Sequence, residues 1–458
     1  MKKIGIIITA IAFLFSCKSN MTENPLLTQS DNPYGAPAFD KIKNEHYKPA
    51  FDAAIAEGKA QIDSIANNPE APTFENTIEA MEYAGRKLSN ISAIFFNLNE
   101  ACTDTVMQKI ALEVSPMLTE YSNDILLNEK LFERIKAVYE KRDSLKLEED
   151  QARILELTYR SFARNGANLP KEKKEEFRSI KKELSQLTLK FGQNVLEATN
   201  KFFINITDST QLAGLPEFVK EGAAAEAKER KLEGWVITLQ GPSYIPFMQY
   251  SENRELKEKL WKAYNSKCLD GELSNQENIK KIVDLRLKLA NLLGYPTYAD
   301  YVLEENMAKT PATVNSFLDD LLAKSMPFAK KDLAEIQAYA EKSGFKGKLM
   351  PWDFSYYSEK YKSEKYSLND ELLKPYFKLE NVQAAVFALA DSLYGIKFTE
   401  NTKIPVYHPD VKIYEVSDAD GRFLSLLYLD YFPRASKRGG AWMTSFRDQY
   451  SQGGVEYR

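Results

Sequence analysis

DVKIYEVSDADGRFLSLLYLDYFPRASKRGGAWM, residues 410–443, is the stretch where this sequence stops looking helical. Val411, Ile413, Tyr414 and Val416 are β-branched or aromatic, the side chains that a pleated, half-buried surface selects. Asp418-Ala419-Asp420-Gly421 supplies turn chemistry, because Asp can bond its own backbone and Gly accepts positive φ. Phe423–Leu429 is nearly all apolar and too short for a typical helix, so it reads as a strand covered on both faces. The two runs and their turn predict a β-hairpin. Beyond it come Pro433, the basic residues Arg434, Lys437 and Arg438, and Gly439-Gly440. The basic residues read either as an anion-binding group or as a solvated basic turn.

Outward from the hairpin the pattern is helical. Residues 171–199 are the clearest case. Phe177, Ile180, Leu184, Leu187, Phe191, Val195 and Ala198 recur at three- and four-residue steps among Lys and Glu, as on a helix with one packed face. Thr73–Asn76 resembles a helix-capping region, and Ile78, Met81, Leu88, Ile91 and Phe95 line one face of the helix it opens. Further helices are expected at about 48–66, 103–122, 128–141, 148–164, 253–265, 279–293 and 382–394. Another starts at Thr310-Pro311, where Pro suits a first turn. Gly294 and Gly395 stand where C-terminal cap glycines stand. Residues 235–240 (WVITLQ) read as a short strand and Pro351-Trp352-Asp353 as a loop. The expected class is mainly α, with one small β-sheet near the end of the chain.

The chain has 458 residues, enough for one large or two medium domains. Hydrophobic residues at 44% and charged residues at 28% give a globular balance that weighs against global disorder. A formal net charge of −4 lacks the basic excess of a nucleic-acid binder, so no nucleic-acid partner is expected. Three Cys and two His exclude a disulfide scaffold and Cys-rich zinc modules. His46 and His408 have no second His at ligand spacing, and each reads as a structural hydrogen-bonder. No Gly-x-Ser-x-Gly elbow, phosphate loop or dinucleotide fingerprint occurs. No residue of this chain is assigned to catalysis or to metal binding.

The N-terminus reads as an address. Lys2 and Lys3 precede an apolar run, Ile4–Phe15, too short to span a bilayer comfortably. Ser16-Cys17 ends it, so residues 1–17 resemble a bacterial lipoprotein signal in which Cys17 is lipidated. The alternative is an ordinary secretory signal with an incidental Cys. The lipoprotein reading puts the protein in a bacterial cell envelope, anchored to the membrane and facing the periplasm or the surface. Residues 18–35, rich in Asn, Ser, Thr and Pro, are expected to be a flexible tether, and 36–458 the folded body. Cys102 and Cys268 read as two buried free thiols, with pairing in an oxidising compartment as the alternative.

Several segments taken together resemble the thimet-oligopeptidase family of zinc peptidases, in particular its bacterial peptidyl-dipeptidase (Dcp) branch. They are Phe39-Asp40-Lys41-Ile42 with Glu45-His46-Tyr47, TFENTIEAME from Thr73, Gly166-Ala167-Asn168-Leu169-Pro170 and FGQNVLEAT from Phe191. LANLLGYPTYADY from Leu289, PWDFSYY from Pro351, YHPDVKIYEV from Tyr407 and KRGGAWM from Lys437 continue the series. The resemblance implies a multi-helical, zincin-like peptidase with a deep channel that admits short peptides and binds one zinc ion. In the family the zinc motif is His-Glu-x-x-His on a helix, with a later Glu as third ligand. The two His, one turn apart, reach one metal, and the Glu between them takes a proton from the zinc-bound water.

This sequence contains no His-Glu-x-x-His. The family places the motif beyond the sheet, so the zinc ligands are expected beyond Arg458 and residues 1–458 alone are expected to be an inactive, C-terminally truncated portion. Ser451–Arg458 reads as a turn leading into a further strand. Gly439 and Gly440 are candidates for a cleft where a substrate backbone comes close, or for an ordinary tight turn. The expected reaction is release of dipeptides from free C-termini by a monomeric enzyme. The alternatives are an oligo-endopeptidase of the same family and a metal-free, peptide-binding envelope lipoprotein. Apolar surface at Leu424–Leu429 predicts poor solubility of the isolated chain.

Overall fold

The computed structural model describes residues 24–367 and 370–457. Helices α1 (Asn44–Ala66), α2 (Ala80–Tyr83), α3 (Arg86–Ala101), α4 (Thr105–Leu126), α5 (Glu129–Glu140), α6 (Glu149–Arg164) and α7 (Lys171–Lys201) come first. Phe51, Ile91, Phe95 and Val114 are sealed in one core of this layer. Ile78, Leu131, Ile135 and Leu155 are sealed in a second. The α7 stripe buries Phe177 and Ile180 but leaves Phe191 exposed, so only its first half is covered as its periodicity predicts.

The helix expected from Thr73 is divided. Thr73 and Asn76 do cap each other, with Asn76 N–H donating to Thr73 Oγ1 at 3.2 Å and Thr73 N–H to Asn76 Oδ1 at 2.9 Å. Its first turn, Phe74–Glu79, is π-helical. The chain then breaks at Gly85, which has φ 73°. The Tyr121 hydroxyl lies 2.7 Å from where a Cβ at Gly85 would stand, so both conformation and space select glycine there.

A second layer follows. Strand β1 (Phe203–Ile206) pairs antiparallel with β2 (Trp235–Thr238) around α8 (Glu217–Glu229). Then come α9 (Gly241–Tyr250), α10 (Arg254–Asn265), α11 (Gln276–Leu292), α12 (Tyr298–Leu303), α13 (Pro311–Lys342), α14 (Pro351–Tyr366), α15 (Asp370–Leu373) and α16 (Leu379–Tyr394). Pro351-Trp352-Asp353 is not a loop but the first turn of α14. Pro occupies the position where its missing N–H costs nothing, and the Asp353 carboxylate accepts the Met350 N–H at 3.0 Å. Gly294 and Gly395 have φ 89° and 70°, as C-cap glycines do.

The expected hairpin is present within a sheet of order β3-β4-β5, formed by Lys397–Glu400, Lys412–Ser417 and Phe423–Leu429. Tyr414 faces Leu427, with a bulge at Val416/Ser417. Asp418 Oδ1 accepts N–H groups from Asp420 at 3.1 Å and Arg422 at 2.9 Å, and Gly421 takes φ 82°. β5 departs from the expectation. It is half-buried rather than covered on both faces, and no described strand pairs with its outer edge. The last described residues form a small hairpin of their own, β6 (Tyr450–Gln452) and β7 (Val455–Tyr457), turning at Gly453-Gly454.

The expected signal, with Cys17, lies outside the described residues. Of the expected tether 18–35, the described part packs. Asn24 and Leu26 are buried, Asn24 Nδ2 donates to the His46 carbonyl at 2.9 Å, and Tyr34 stacks on Phe423 with centroids 3.7 Å apart. Phe39 then inserts edge-on among Tyr407, Tyr428 and Phe446, at centroid distances of 5.5, 6.0 and 5.2 Å. The first described residues therefore hold the β3-β4-β5 sheet. Cys102 and Cys268 are free but half-buried, less enclosed than expected.

The largest uncovered apolar surface is not on β5. Phe317, Leu321 and Phe328 run along α13, and Val386, Leu389 and Leu393 along α16; each is at least half exposed. Helical stripes of this kind ordinarily pack against something. We expect purified residues 1–458 to bind an apolar fluorescent dye strongly. Leu321→Lys and Phe328→Lys should each lower the bound dye while changing stability by no more than about 0.5 kcal/mol. Phe39→Ala, by contrast, should cost about 3 kcal/mol in urea unfolding and expose residues 430–449 to protease.

Candidate functional site

The chain leaves β5 at Asp430 and enters a long loop that runs to β6. One carboxylate organises its start. The Arg434 guanidinium donates to Asp430 Oδ1 at 2.9 Å and Oδ2 at 2.6 Å, the bidentate fork that Arg geometry favours. Its Nε donates to the Ala101 carbonyl at 2.8 Å, and its Nη2 lies 3.3 Å from Cys102 Sγ. Lys437 Nζ stands 3.0 Å from Asp430 Oδ1 and donates to the carbonyls of Asp430 at 2.8 Å and Phe432 at 3.1 Å. The Tyr407 hydroxyl donates to Asp430 Oδ2 at 3.2 Å.

Burial works to raise the Asp430 pKa, but the hydrogen bonds from Arg434 and Lys437 outweigh it and hold the carboxyl below its ordinary range. Burial, joined by the Asp430 charge, pushes the Tyr407 phenol up. The Cys102 thiol is raised by burial against the pull of Arg434. This group is therefore a fixed ion cluster with Cys102 kept as a thiol, not a nucleophile with a base.

The rest of the loop is tied to the N-terminal layer. Arg438 N–H donates to the Glu100 carbonyl and its guanidinium to Glu100 Oε1, each at 2.8 Å. Thr103 N–H reaches the Ser436 carbonyl at 3.0 Å, and Asn200 Nδ2 the Ala435 carbonyl at 2.8 Å. Asn97 binds the Ser445 carbonyl at 2.8 Å and the Thr444 hydroxyl at 2.9 Å. Neither expectation for the basic residues holds for Arg434 and Lys437. Their side chains are only 12% and 10% exposed, and Asp430 already neutralises them. Arg438 is exposed, and its guanidinium lies 4.7 Å from the Trp442 ring centroid.

Gly439 and Gly440 sit exposed at the outer bend of this loop. Gly440 has φ 106°, a conformation that favours glycine. A Cβ at either would meet no atom within 4 Å, so the chain's own packing does not demand glycine at either position.

A second ionisable group lies where α10 meets α14. Asp353 is 1% exposed and takes two hydrogen bonds from Arg254, at 2.8 and 2.9 Å. Lys257, also buried, lies 3.8 Å from the Tyr356 ring centroid, and burial above all brings its pKa down to about 8. A shallow cleft of about 500 Å³ beside it is lined by Tyr339, Tyr356, Glu359 and Lys360 among others. Asp353 ties two helices together here and caps one of them, which is a structural role.

The histidines are spent locally. His46 Nδ1 accepts the Lys43 N–H at 3.1 Å, and His408 Nδ1 accepts the Asp410 N–H at 3.2 Å. Among the described residues no group of three or more His, Cys, Asp or Glu is placed to hold a metal ion. The described residues thus do not fit the zinc site that the resemblance implies. Nor is any helix of the described residues long and apolar enough to cross a membrane.

The sequence does not announce Asp430 as a site residue, nor the bond that Tyr407 makes to it. The Asp430–Arg434 spacing of four residues was a visible cue. The contact with Ala101 and Cys102 had none, because more than three hundred residues intervene.

Residues 247–457 match the profile of peptidase family M3. The chain is 38% identical over 431 residues to dipeptidyl carboxypeptidase of Escherichia coli (strain K12), covering 93% of this chain and 63% of that protein. It is 34% identical over 425 residues to oligopeptidase A of Salmonella typhimurium (strain LT2), covering 92% of this chain and 62% of that protein. Against organellar oligopeptidase A of Arabidopsis thaliana the identity is 33% over 435 residues, covering 92% and 54%. The chain thus spans less than two thirds of the length of these relatives. As the resemblance in its segments implies, the chain carries a domain of peptidase family M3.

Proposed function

We infer that these residues form walls of the substrate channel of a zinc metallopeptidase acting on short peptides. Its expected reaction is release of dipeptides from free C-termini. The observation that carries this reading is the 38% identity to a dipeptidyl carboxypeptidase across 93% of the chain. The metal ligands and general base lie, on this reading, in residues beyond Arg458, and residues 1–458 alone are inactive. The 34% identity to oligopeptidase A supports the second reading, an oligo-endopeptidase that cuts inside its substrates. A third reading is a metal-free, peptide-binding envelope lipoprotein.

The sheet suggests where a peptide would lie. β5 offers an edge that no described strand completes, and an extended peptide can add to such an edge through main-chain hydrogen bonds. Gly439 and Gly440, with open space beside them, leave room for a substrate backbone at the neighbouring loop. The enzyme would work as a monomer, held by lipid on Cys17 at the bacterial cell envelope, with short peptides as its partners.

Incubating residues 1–458 with zinc and a short blocked peptide should yield no hydrolysis. Zinc-dependent cleavage by this chain alone would overturn the reading. A polypeptide that continues through the remaining third of the relatives' length should cleave, lose activity to a chelator, and release dipeptides. Internal fragments instead would favour the second reading, and metal-free peptide binding without cleavage the third. The Asp430 cluster makes a separate prediction. Asp430→Ala should cost about 3 kcal/mol at neutral pH, because it leaves Arg434 and Lys437 buried and unpaired. The folded carboxyl titrates below its unfolded value, so its contribution is complete above the ordinary Asp pKa of about 3.9 and fades as pH falls through the lower folded value. The gap between variant and parent in urea unfolding should therefore narrow in acid.

A further inference from the structure

We propose that Trp442 and Met443 form an apolar subsite for the substrate. It selects short peptides that carry an aromatic or large aliphatic side chain where the peptide passes the end of β5. This rests on the channel reading above and goes beyond it by naming the side chain preferred.

The bend that bears the two glycines is pinned at both ends. On one side the Arg438 N–H donates to the Glu100 carbonyl at 2.8 Å. On the other, Asn97 accepts from the Thr444 hydroxyl at 2.9 Å and donates to the Ser445 carbonyl at 2.8 Å. Asn97 and Glu100 stand one turn apart on α3. Only Gly439-Gly440-Ala441-Trp442-Met443 lies between these anchors. A segment this short, fixed at both ends to one helix, meets a ligand at little ordering cost. It nevertheless leaves Met443 92% exposed and Trp442 half-buried.

The position of the indole relative to β5 follows from one lysine. Lys437 Nζ lies 5.8 Å from the Trp442 ring centroid, and it donates to the carbonyls of Asp430, just past β5, at 2.8 Å and of Phe432 at 3.1 Å. The ring is thus two contacts away from the end of the open edge, with the exposed Phe432 across the same ammonium. A single exposed Met needs no account. Here Phe432 and Trp442 flank one fixed group, Met443 follows, and two glycines with open space stand beside them. When a peptide adds to a sheet edge, main-chain bonds supply affinity and side-chain contacts supply selectivity. The edge of β5 offers the first, since no described strand completes it. The bend offers the second. Bare backbone at Gly439-Gly440 lets the peptide come close, and the indole and the adaptable thioether receive an apolar side chain. A carboxylate would instead meet the negative face of the ring.

The test uses the polypeptide that continues through the remaining third of the relatives' length, supplied with zinc. Its substrates are N-acetylated hexa-alanine and the peptides in which one alanine at a time is replaced by Phe or by Asp. At one position Phe should raise kcat/KM about fivefold over Ala, the size that one aromatic contact supports, chiefly through KM. Asp at that position should lower it. Trp442→Ala should abolish the gain by raising KM for the Phe peptide. Met443→Ser should do the same, and its exposed side chain carries no part of the fold. A Phe preference that survives both substitutions would overturn the subsite and leave the channel reading standing. A lowered urea midpoint in Met443→Ser would also overturn it, because the patch would then be packed rather than open. Failure to cleave any of the peptides would overturn the channel reading and the subsite together.

Discussion

The carboxylate of Asp430 joins two parts of the chain that are far apart in sequence. A buried negative charge is tolerable only when it is paired and hydrogen-bonded. Here Arg434, Lys437 and Tyr407 do this, and Arg434 passes the connection on to the Ala101 carbonyl at the end of α3. That pairing fixes the start of the loop after β5 against the helical layer, and the bonds from Arg438, Thr103, Asn200 and Asn97 hold the rest of it. With them, the open edge of β5 and the bend at Gly439-Gly440 are held against the first helices of the chain.

What the sequence reveals and what it hides divide by distance along the chain. The hairpin was legible because Asp418 and Gly421 act within four residues of themselves. The capping pair Thr73–Asn76 and the stop at Gly395 were legible for the same reason. The break at Gly85 was not, because a lone glycine in a helical pattern does not announce a positive φ and its N–H is held by Gln61 from α1. The Phe39 cluster draws on residues around 407, 428 and 446, and no local pattern announces it. The start of α14 was misread although its cues were local. Pro351-Trp352-Asp353 reads as a loop, yet Pro351 with Asp353 two residues on marks a first turn. The candidate cleft glycines were found through resemblance, whereas Asp430, which positions them, was passed over among 65 acidic residues.

Helices α13 and α16 leave long apolar stripes exposed among the described residues. Ile336 of α13 is buried and Phe387 of α16 stacks on Phe398, but the stripes Phe317, Leu321, Phe328 and Val386, Leu389, Leu393 stay exposed. A helix gains most of its stability from packing such a face. The N-terminal layer, in contrast, closes its own cores around Phe51, Phe95, Ile78 and Leu131. The two regions therefore differ in self-sufficiency, and α13 and α16 should be the first to fray.

Tyr34 stacks on Phe423 and hydrogen-bonds Glu415, a partner 381 residues away in sequence. A ribosome builds the chain in one direction at about 5–20 residues per second. The opening segment thus waits roughly twenty seconds or more before its partners exist. During that interval Phe39 and Leu26 have no sheet to close on, and contacts between such remote segments form slowly even afterwards. Newborn chains therefore pass through a stage with a settled helical layer and a loose leading end, and this is the stage at which a holding chaperone would find most to grip.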